Sequence, residues 1–297
     1  MKSWPIRSKF FHHDNHLMHF ETKKDQIGPD FLRETALSIV TTSSAKITPV
    51  NLEKRLLDKF ELNKKQIKSV IRSLVAGGEL VYTYEYGRTF LEQSFVRPVR
   101  VSKHIVLRPP GHHHDTLPQD VVVKIIPGAS FGSGNHPTTR QAIKGIEFVL
   151  LGDQVLDKPN NTDVLDIGTG SGVLLVTAIL CGMKSGVGVD IDACARVEAA
   201  ENVRINGLGD RVAISAQSLA DIHQRFSLIL ANLRFPSLKK MLRQINEKAN
   251  TNCFLILSGI RDCELDGLLK VYEQIQFEKI WTGTELGWSG LVLRRLK

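Results

Sequence analysis

Residues 163–173, DVLDIGTGSGV, restrict the fold more than any other stretch. Val164, Leu165 and Ile167 give a short apolar run of strand character, and Gly168, Gly170 and Gly172 follow at alternate positions. From Ser171, VLLVTAIL carries a helical pattern, so the stretch reads as buried strand, tight turn and helix. Glycines at this spacing let the chain turn sharply and bring its backbone against a ligand without Cβ atoms in the way. A second apolar strand, GVGVD, ends in Asp190, 22 residues after Gly168. An acid at that place can accept hydrogen bonds from both hydroxyls of a ribose. The turn is DxGxGxG, with Asp166 ahead of the first glycine, whereas the dinucleotide fingerprint is GxGxxG. A carboxylate there suits the ammonium and sulfonium end of S-adenosyl-L-methionine better than a pyrophosphate, which needs uncompensated helix N–H groups. The bland alternative is a plain strand-to-helix turn followed by an exposed acid.

Length allows this unit to be only part of the molecule. At 297 residues the chain can form two domains, each burying its own core. No apolar run approaches the ~18 residues of a membrane span, and the His-rich N-terminus does not read as a signal peptide. Cys181, Cys194, Cys253 and Cys263 have no CxxC spacing, which suggests free thiols in a reducing cytoplasm. The net charge of +8 is uneven: residues 1–120 carry +6 and residues 121–297 carry +2. A basic front part points to an anionic partner such as RNA, although a solvated basic surface explains the same excess.

Residues 1–26 show no period and read as loosely ordered. Within them His12 and His16 would share a face at metal-ligand spacing if helical, beside His13 and His19, but neither cysteine nor glycine frames such a site. His112, His113 and His114 sit in a Pro/Gly-bracketed loop. Helices are expected from Pro29 to about Val40, from Pro49, and from an Asn63 cap through Ile67, Val70, Ile71, Leu74 and Val75 to Gly77. Two alternating strands, 80–84 and 89–95, follow across Tyr86-Gly87-Arg88. Three helices and a hairpin resemble a winged helix-turn-helix domain over residues 1–95. The third helix would present Lys64, Lys65, Lys68 and Arg72 to phosphates, or merely to solvent. Residues 96–126 read as a connector in which Val99, Val101, Ile105 and Leu107 suggest a strand up to Arg108 and residues 121–126 an apolar strand, and residues 127–297 as the domain that carries the glycine turn. That domain is expected to be α/β and doubly wound, with the smaller α+β unit ahead of it.

The loop 127–140, PGASFGSGNHPTTR, precedes a helix expected over 139–150. Its small residues, hydroxyls and His136 suit a lid over a cofactor, or a surface loop. The strand FSLILAN delivers Asn232 to the carboxyl edge of the sheet, where α/β folds hold their ligands. An amide oxygen there can accept a hydrogen bond from an amine and aim its lone pair.

FGSGNHPTTR, VLDIGTGSGVL, VGVDID, AENVRINGL, ILANL, LILSGI and GWSGLVLRR follow one another as the motifs of the PrmA family do. These are the methyltransferases of the large-subunit ribosomal stalk protein, and the chain resembles them over roughly residues 95–297. The resemblance implies a Rossmann-like class I fold and methyl transfer from S-adenosyl-L-methionine to a protein amino group, lysine or N-terminal. It places the cofactor against Thr139, Asp166, Gly168, Gly170, Asp190 and Asn232. The front part does not resemble the recognition domain that precedes this half in the family. After strand 211–215 stand Gln217 and Ser218, neutral residues where such enzymes commonly carry an acid against the adenine amino group. Asn-Leu-Arg-Phe-Pro also departs from the Asn/Asp-Pro-Pro-Tyr/Phe of many amino-methyltransferases, which favours the PrmA-like reading over adenine methylation.

Catalysis on this reading involves Asn232, with His136 as a proton acceptor or as a hydrogen-bonded loop residue. Trp281 and Trp288 could wall the acceptor or serve the core. No metal is implied. Two further readings stay open: an RNA methyltransferase docking through its basic front domain, and a non-catalytic DNA-binding regulator that senses S-adenosyl-L-methionine.

Overall fold

The computed structural model describes residues 28–85, 87–113, 115–152 and 162–296. The cluster of His12, His13, His16 and His19 lies outside the described residues, as does His114. Helices α1 (Pro29–Thr41), α2 (Pro49–Lys59) and α3 (Lys64–Ala76) lead into the hairpin β1 (Leu80–Glu85) and β2 (Arg88–Gln93). Local chemistry sets these boundaries. Thr48 caps α2 by accepting the Asn51 amide, and Pro49 supplies a preset φ at the first helical position. Asn63 and Gln66 satisfy each other's backbone amides at 2.9 and 3.0 Å, a capping box that starts α3. Leu32, Leu52, Leu56, Ile67, Ile71, Leu74, Leu80 and Leu91 meet in one buried cluster, and an isolated bridge from Ile47 to Leu91 ties the α1–α2 connection to the hairpin.

The two strands expected in the connector 96–126 are present, the first split into two, and together they form a small sheet. β3 (Val99–Arg100) runs antiparallel to β4 (Ile105–Arg108), which pairs in parallel with β5 (Val121–Lys124). Their buried side chains share a cluster with α4 (Pro137–Leu150) and with the centre of the large sheet. The rest of the chain alternates: β6 (Asp163–Ile167), α5 (Val173–Leu180), β7 (Ser185–Val189), α6 (Ala193–Ile205), β8 (Val212–Ser215), β9 (Phe226–Asn232), α7 (Phe235–Lys240), α8 (Leu242–Lys248), β10 (Ala249–Arg261), α9 (Leu265–Glu273), β11 (Phe277–Glu285) and β12 (Trp288–Arg295).

The strands form a seven-stranded sheet in the order β11-β12-β10-β9-β6-β7-β8. Pairing is parallel from β10 to β8 and antiparallel at β12 and β11. Helices cover both faces, each with its own buried cluster, which is why β9 reads as a nearly continuous apolar run and β6 is apolar at Val164, Leu165 and Ile167. The doubly wound sheet expected from the alternation of strand and helix signals is therefore present. Among the described residues no helix is long and apolar enough to cross a membrane.

One glycine fixes how the sheet ends. Gly259 breaks the β10–β12 register at φ +87°, and a Cβ there would lie 2.4 Å from the Leu233 carbonyl oxygen. Only a residue without a side chain allows the β9 exit to pass that close. Gly259→Ala should lower stability by roughly 2–3 kcal/mol in urea unfolding, whereas Gly209→Ala, which faces open space, should stay within about 0.5 kcal/mol.

Candidate active site

The chain leaves β6 towards β7 and β8 on one side of the sheet and returns to β9 on the other. The loops after β6 and β9 therefore part in opposite directions, which opens a crevice at their carboxyl ends. The glycine turn forms its floor. Gly168, Gly170 and Gly172 hold φ of +70°, +54° and +79°. A Cβ on Gly170 would meet the Phe131 carbonyl oxygen at 2.4 Å, and one on Gly168 would meet Leu233 at 2.7 Å. The turn is thus wedged between the 127–136 loop and the β9 exit.

The backbone of this turn is already satisfied. Gly168 and Thr169 donate to the Val189 carbonyl at 2.8 and 3.0 Å, Ser171 to Phe131 at 2.9 Å, and Gly172 to Thr169 at 2.8 Å. Gly170 donates to Asp190 Oδ2 at 2.9 Å. No amide from 168 to 172 is left over to cradle a pyrophosphate.

Two oxygens in the crevice show the opposite condition. Asp166 is 1% exposed; its Oδ2 accepts the Thr169 hydroxyl at 2.7 Å, while Oδ1 has no hydrogen-bond partner among the described residues. Burial pushes its pKa up to about 7; the Thr169 hydroxyl and the Leu175 backbone amide at the start of α5 oppose the rise, and Asp190 adds to it. Asn232 Oδ1 is likewise buried and unpartnered, with its Nδ2 only 3.5 Å from Thr139 Oγ1. Buried polar atoms are almost always paired, so two orphans in one crevice mark acceptors aimed at something the chain does not supply. Asp190 is half-buried at the next strand end. Its oxygens each accept one amide, from Gly170 and Asp192, which leaves further lone pairs free.

The first turn of α4 brings Thr139 to Asn232. Thr138 and Thr139 are fully buried, and Ser258 on β10 donates to the Thr138 carbonyl at 2.7 Å. α4 starts at Pro137, two residues before the sequence suggested, because His136 caps it. Nδ1 of His136 accepts the Thr138 amide at 3.3 Å and lies 2.8 Å from its hydroxyl. The hydrogen-bond network therefore assigns the neutral ring its proton on Nε2. Burial lowers the His136 pKa, and Arg140, Lys46 and Arg261 lower it further. Proton acceptance at Nδ1 would cost the cap, so the geometry gives this ring a structural task between Phe131 and Trp288, at 5.2 and 4.9 Å. Trp288 also lies under Arg261 at 3.8 Å, whereas Trp281 stacks on Phe148 away from the crevice. At the β8 end, Ser218 is engaged with Asp221 at 2.7 Å, and Gln217 is exposed.

Sequence reasoning missed how the loop is held. Glu198 and Asn202 on α6 and Asn206 at its C-cap recur every four residues, so they share a face. Glu198 accepts the amides of Ala129 and Ser130, and Asn202 accepts that of Ile126 while donating to the Ser171 carbonyl at 2.8 Å. Asn206 pairs with both backbone groups of Lys124. Asn at i and i+4 in AENVRINGL was the available signal. Ile191 was missed as well: it follows Asp190 and is 98% exposed. A cleft of about 1190 Å³ opens beside His136 and Trp288, with the hairpin and residues 40–47 as its far wall. Lys64, Lys65, Lys68 and Arg72 are all exposed on α3, far along the chain from the crevice residues.

Comparison with known proteins follows this geometry closely. The family model for ribosomal protein L11 methyltransferase (PrmA) matches residues 89–296. The ribosomal protein L11 methyltransferase of Geotalea daltonii is 32% identical over 204 residues, 68% of this chain and 65% of that protein. That of Citrifermentans bemidjiense is 34% identical over 199 residues, 67% and 64% respectively. The chain thus spans just under two thirds of the length of the curated relatives it matches. A crystal structure of the ribosomal protein L11 methylase from Lactobacillus delbrueckii subsp. bulgaricus is similar with a TM-score of 0.60 and 29% identity, covering 67% of this chain and 100% of that one.

The buried carboxyl yields a pH prediction. With a folded pKa near 7 against 3.8 when exposed, Asp166 keeps its proton on folding, so wild-type stability falls as pH rises between those values. Above pH 7 the full cost of a buried carboxylate is present. Asp166→Asn should therefore raise the melting temperature at pH 8, and the gain should shrink steadily towards pH 5.

Proposed function

The chain belongs to the ribosomal protein L11 methyltransferase (PrmA) family, and on that footing we propose that it transfers a methyl group from S-adenosyl-L-methionine to an amino group of a protein acceptor. The observation that carries this reading is the pair of orphaned buried oxygens, Asp166 Oδ1 and Asn232 Oδ1, at the switch point of the sheet.

The described residues fit such a cofactor. A carboxylate without a cationic partner suits a ligand bearing ammonium and sulfonium charge, and the satisfied glycine turn argues against a dinucleotide. Asp190 would take the ribose hydroxyls through its remaining lone pairs, and exposed Ile191 would cover an apolar base. Gly168 and Gly170 would admit the ligand against the backbone, with Thr139 beside Asn232 at its reactive end. When bound, the group supplies a methyl already activated by the sulfonium. What remains for the chain is alignment and exclusion of water, effects that reach roughly 7–11 kcal/mol in favourable cases. Asn232 Oδ1 accepts an N–H of the incoming amine and turns its lone pair towards the carbon. Burial beside the uncharged Asn232 and Thr139 disfavours the ammonium form of the acceptor, so the amine enters neutral. His136 keeps α4 in register for this.

The helical unit 28–95 serves as the docking part, and the cleft it shares with residues 284–288 as the approach for the acceptor. Four exposed cations on α3 with no acid among its residues favour binding to RNA phosphates there, as a ribosomal acceptor would offer. Four free thiols accord with a cytoplasmic setting.

Incubation with tritiated cofactor and, separately, ribosomal proteins, total protein and total RNA tests the reading. Label is expected in protein; label only in nuclease-sensitive material would select RNA methylation instead. Asn232→Ala should lower kcat by roughly 100-fold while leaving the melting temperature near wild type. Asp190→Ala should raise the cofactor Kd by about tenfold or more in calorimetry. Replacing Lys65, Lys68 and Arg72 with Gln should flatten the salt dependence of RNA retention, by about 0.7 in log–log slope for each phosphate that is no longer neutralised. An unchanged slope would exclude RNA from this helix face.

A further inference from the structure

Arg140 and Glu285 touch none of the groups assigned to binding or transfer, yet they hold the segment on which those groups depend. The two side chains are 14% and 20% exposed. Arg140 Nε donates to Glu285 Oε1 at 2.7 Å, and Nη2 reaches the same oxygen at 2.5 Å. Its remaining arm crosses to the 127–136 loop, where Nη1 donates to the carbonyls of Asn135 at 2.6 Å and Gly134 at 3.1 Å. Gln141 and Lys144 reach Glu285 Oε2 at 3.0 and 3.4 Å. Below the guanidinium lies the Phe95 ring, 5.8 Å away.

The backbone that presents these carbonyls has no slack. Gly134 sits at φ +97°, and a Cβ there would lie 2.5 Å from Leu107 and 2.9 Å from Phe95. The front of the loop is fixed by Glu198 and Asn202, and its middle by the Ser171 amide on the Phe131 carbonyl. Arg140 is therefore the anchor of its far end, which carries His136 and leads directly into Thr139. A planar fork is required, because one group must face a carboxylate and two carbonyls at once; an ammonium cannot span them. A half-buried ion pair is weak grounds for stability alone. Burial works against the Glu285 charge, but Arg140 and Lys144 hold its carboxyl below the usual range.

We infer that Arg140, braced by Glu285, is a positioning residue: it pins the 131–136 segment against the glycine turn and so sets the place of Thr139 and Asn232. Its consequence for cofactor affinity rests on the function proposed above; the pinning itself does not.

The test uses full-length protein and two readouts. Without cofactor, amide exchange is followed at Ser171 and Thr139, whose N–H groups donate to Phe131 and His136, with Leu165 on β6 as the reference. With cofactor, the Kd for S-adenosyl-L-methionine is measured by calorimetry. Arg140→Met should speed exchange at Ser171 and Thr139 by about tenfold without moving Leu165, and weaken the cofactor by a similar factor, the scale expected when charged hydrogen bonds are removed. Arg140→Lys keeps the pair and should recover only part of this. Glu285→Gln should act in the same direction, and the double variant Arg140→Met/Glu285→Gln should be no worse than Arg140→Met, since the two act as one unit. If Arg140→Met does not fold, Arg140→Lys and Glu285→Gln carry the same comparison. Exchange within twofold of wild type at both amides, equal acceleration at Leu165, or additive effects of the two substitutions would each overturn the inference. Wild-type protein that binds no cofactor would instead remove the proposed function, while the exchange readout still decides the pinning.

Discussion

A carboxyl group sealed in β6, with one oxygen outside hydrogen-bond geometry to every described group, is a cost that packing alone does not explain. This position within the strand could hold a small apolar residue with less penalty. Asp166 is kept where two constraints converge. The strand places it under the start of α5, and the glycine turn keeps the backbone low enough for a ligand to reach it. The Thr169 hydroxyl satisfies one oxygen, and Asp190 one strand away takes the Gly170 amide. The turn is thus self-sufficient in hydrogen bonds except at the buried Asp166 Oδ1. That asymmetry separates this site from a phosphate cradle, in which the free groups would be donors.

The second organising feature is how the loop over the turn is held. Few of its own backbone groups pair with strands. Side chains of α6 meet its front, Arg140 meets its end, and the Phe131 carbonyl meets the turn itself. This makes the loop an extension of two helices, so that changes on α4 or α6 reach the crevice without touching a ligand. His136 belongs to this scaffold. Its Nδ1 is committed to the α4 cap, and that commitment fixes Thr139 next to Asn232.

Much of this was legible in the sequence, and the reasons differ by element. The β6–turn–α5 unit could be read because strand, glycine spacing and helix each have their own period, and all three agree. The helix starts at Thr48 and Asn63 were readable from capping chemistry. The start of α4 was misplaced by two residues because a histidine cap is rarer than Ser, Thr, Asp or Asn, and it hid behind Pro137. Strand character at Val99, Val101, Ile105 and Leu107 and over 121–126 was readable in the connector, but not the turn that splits the first run into β3 and β4, nor the packing against α4 and α5 that buries them. The pairs Glu198 with the loop and Arg140 with Glu285 were invisible for another reason. They join residues 69 and 145 positions apart, and no local pattern encodes such a meeting.

Whether Asp166 faces a bound cation decides the chemistry of the whole crevice. Titrating the protein with S-adenosyl-L-methionine near pH 7, in buffers of different ionisation enthalpy, answers this without any assumption about the methyl acceptor. A cation beside the carboxyl lowers its pKa, so binding should release protons, with the release fading by pH 9 and in Asp166→Asn. Binding with no proton release at any pH, or heat from a dinucleotide in place of S-adenosyl-L-methionine, would show that Asp166 does not hold a cationic ligand.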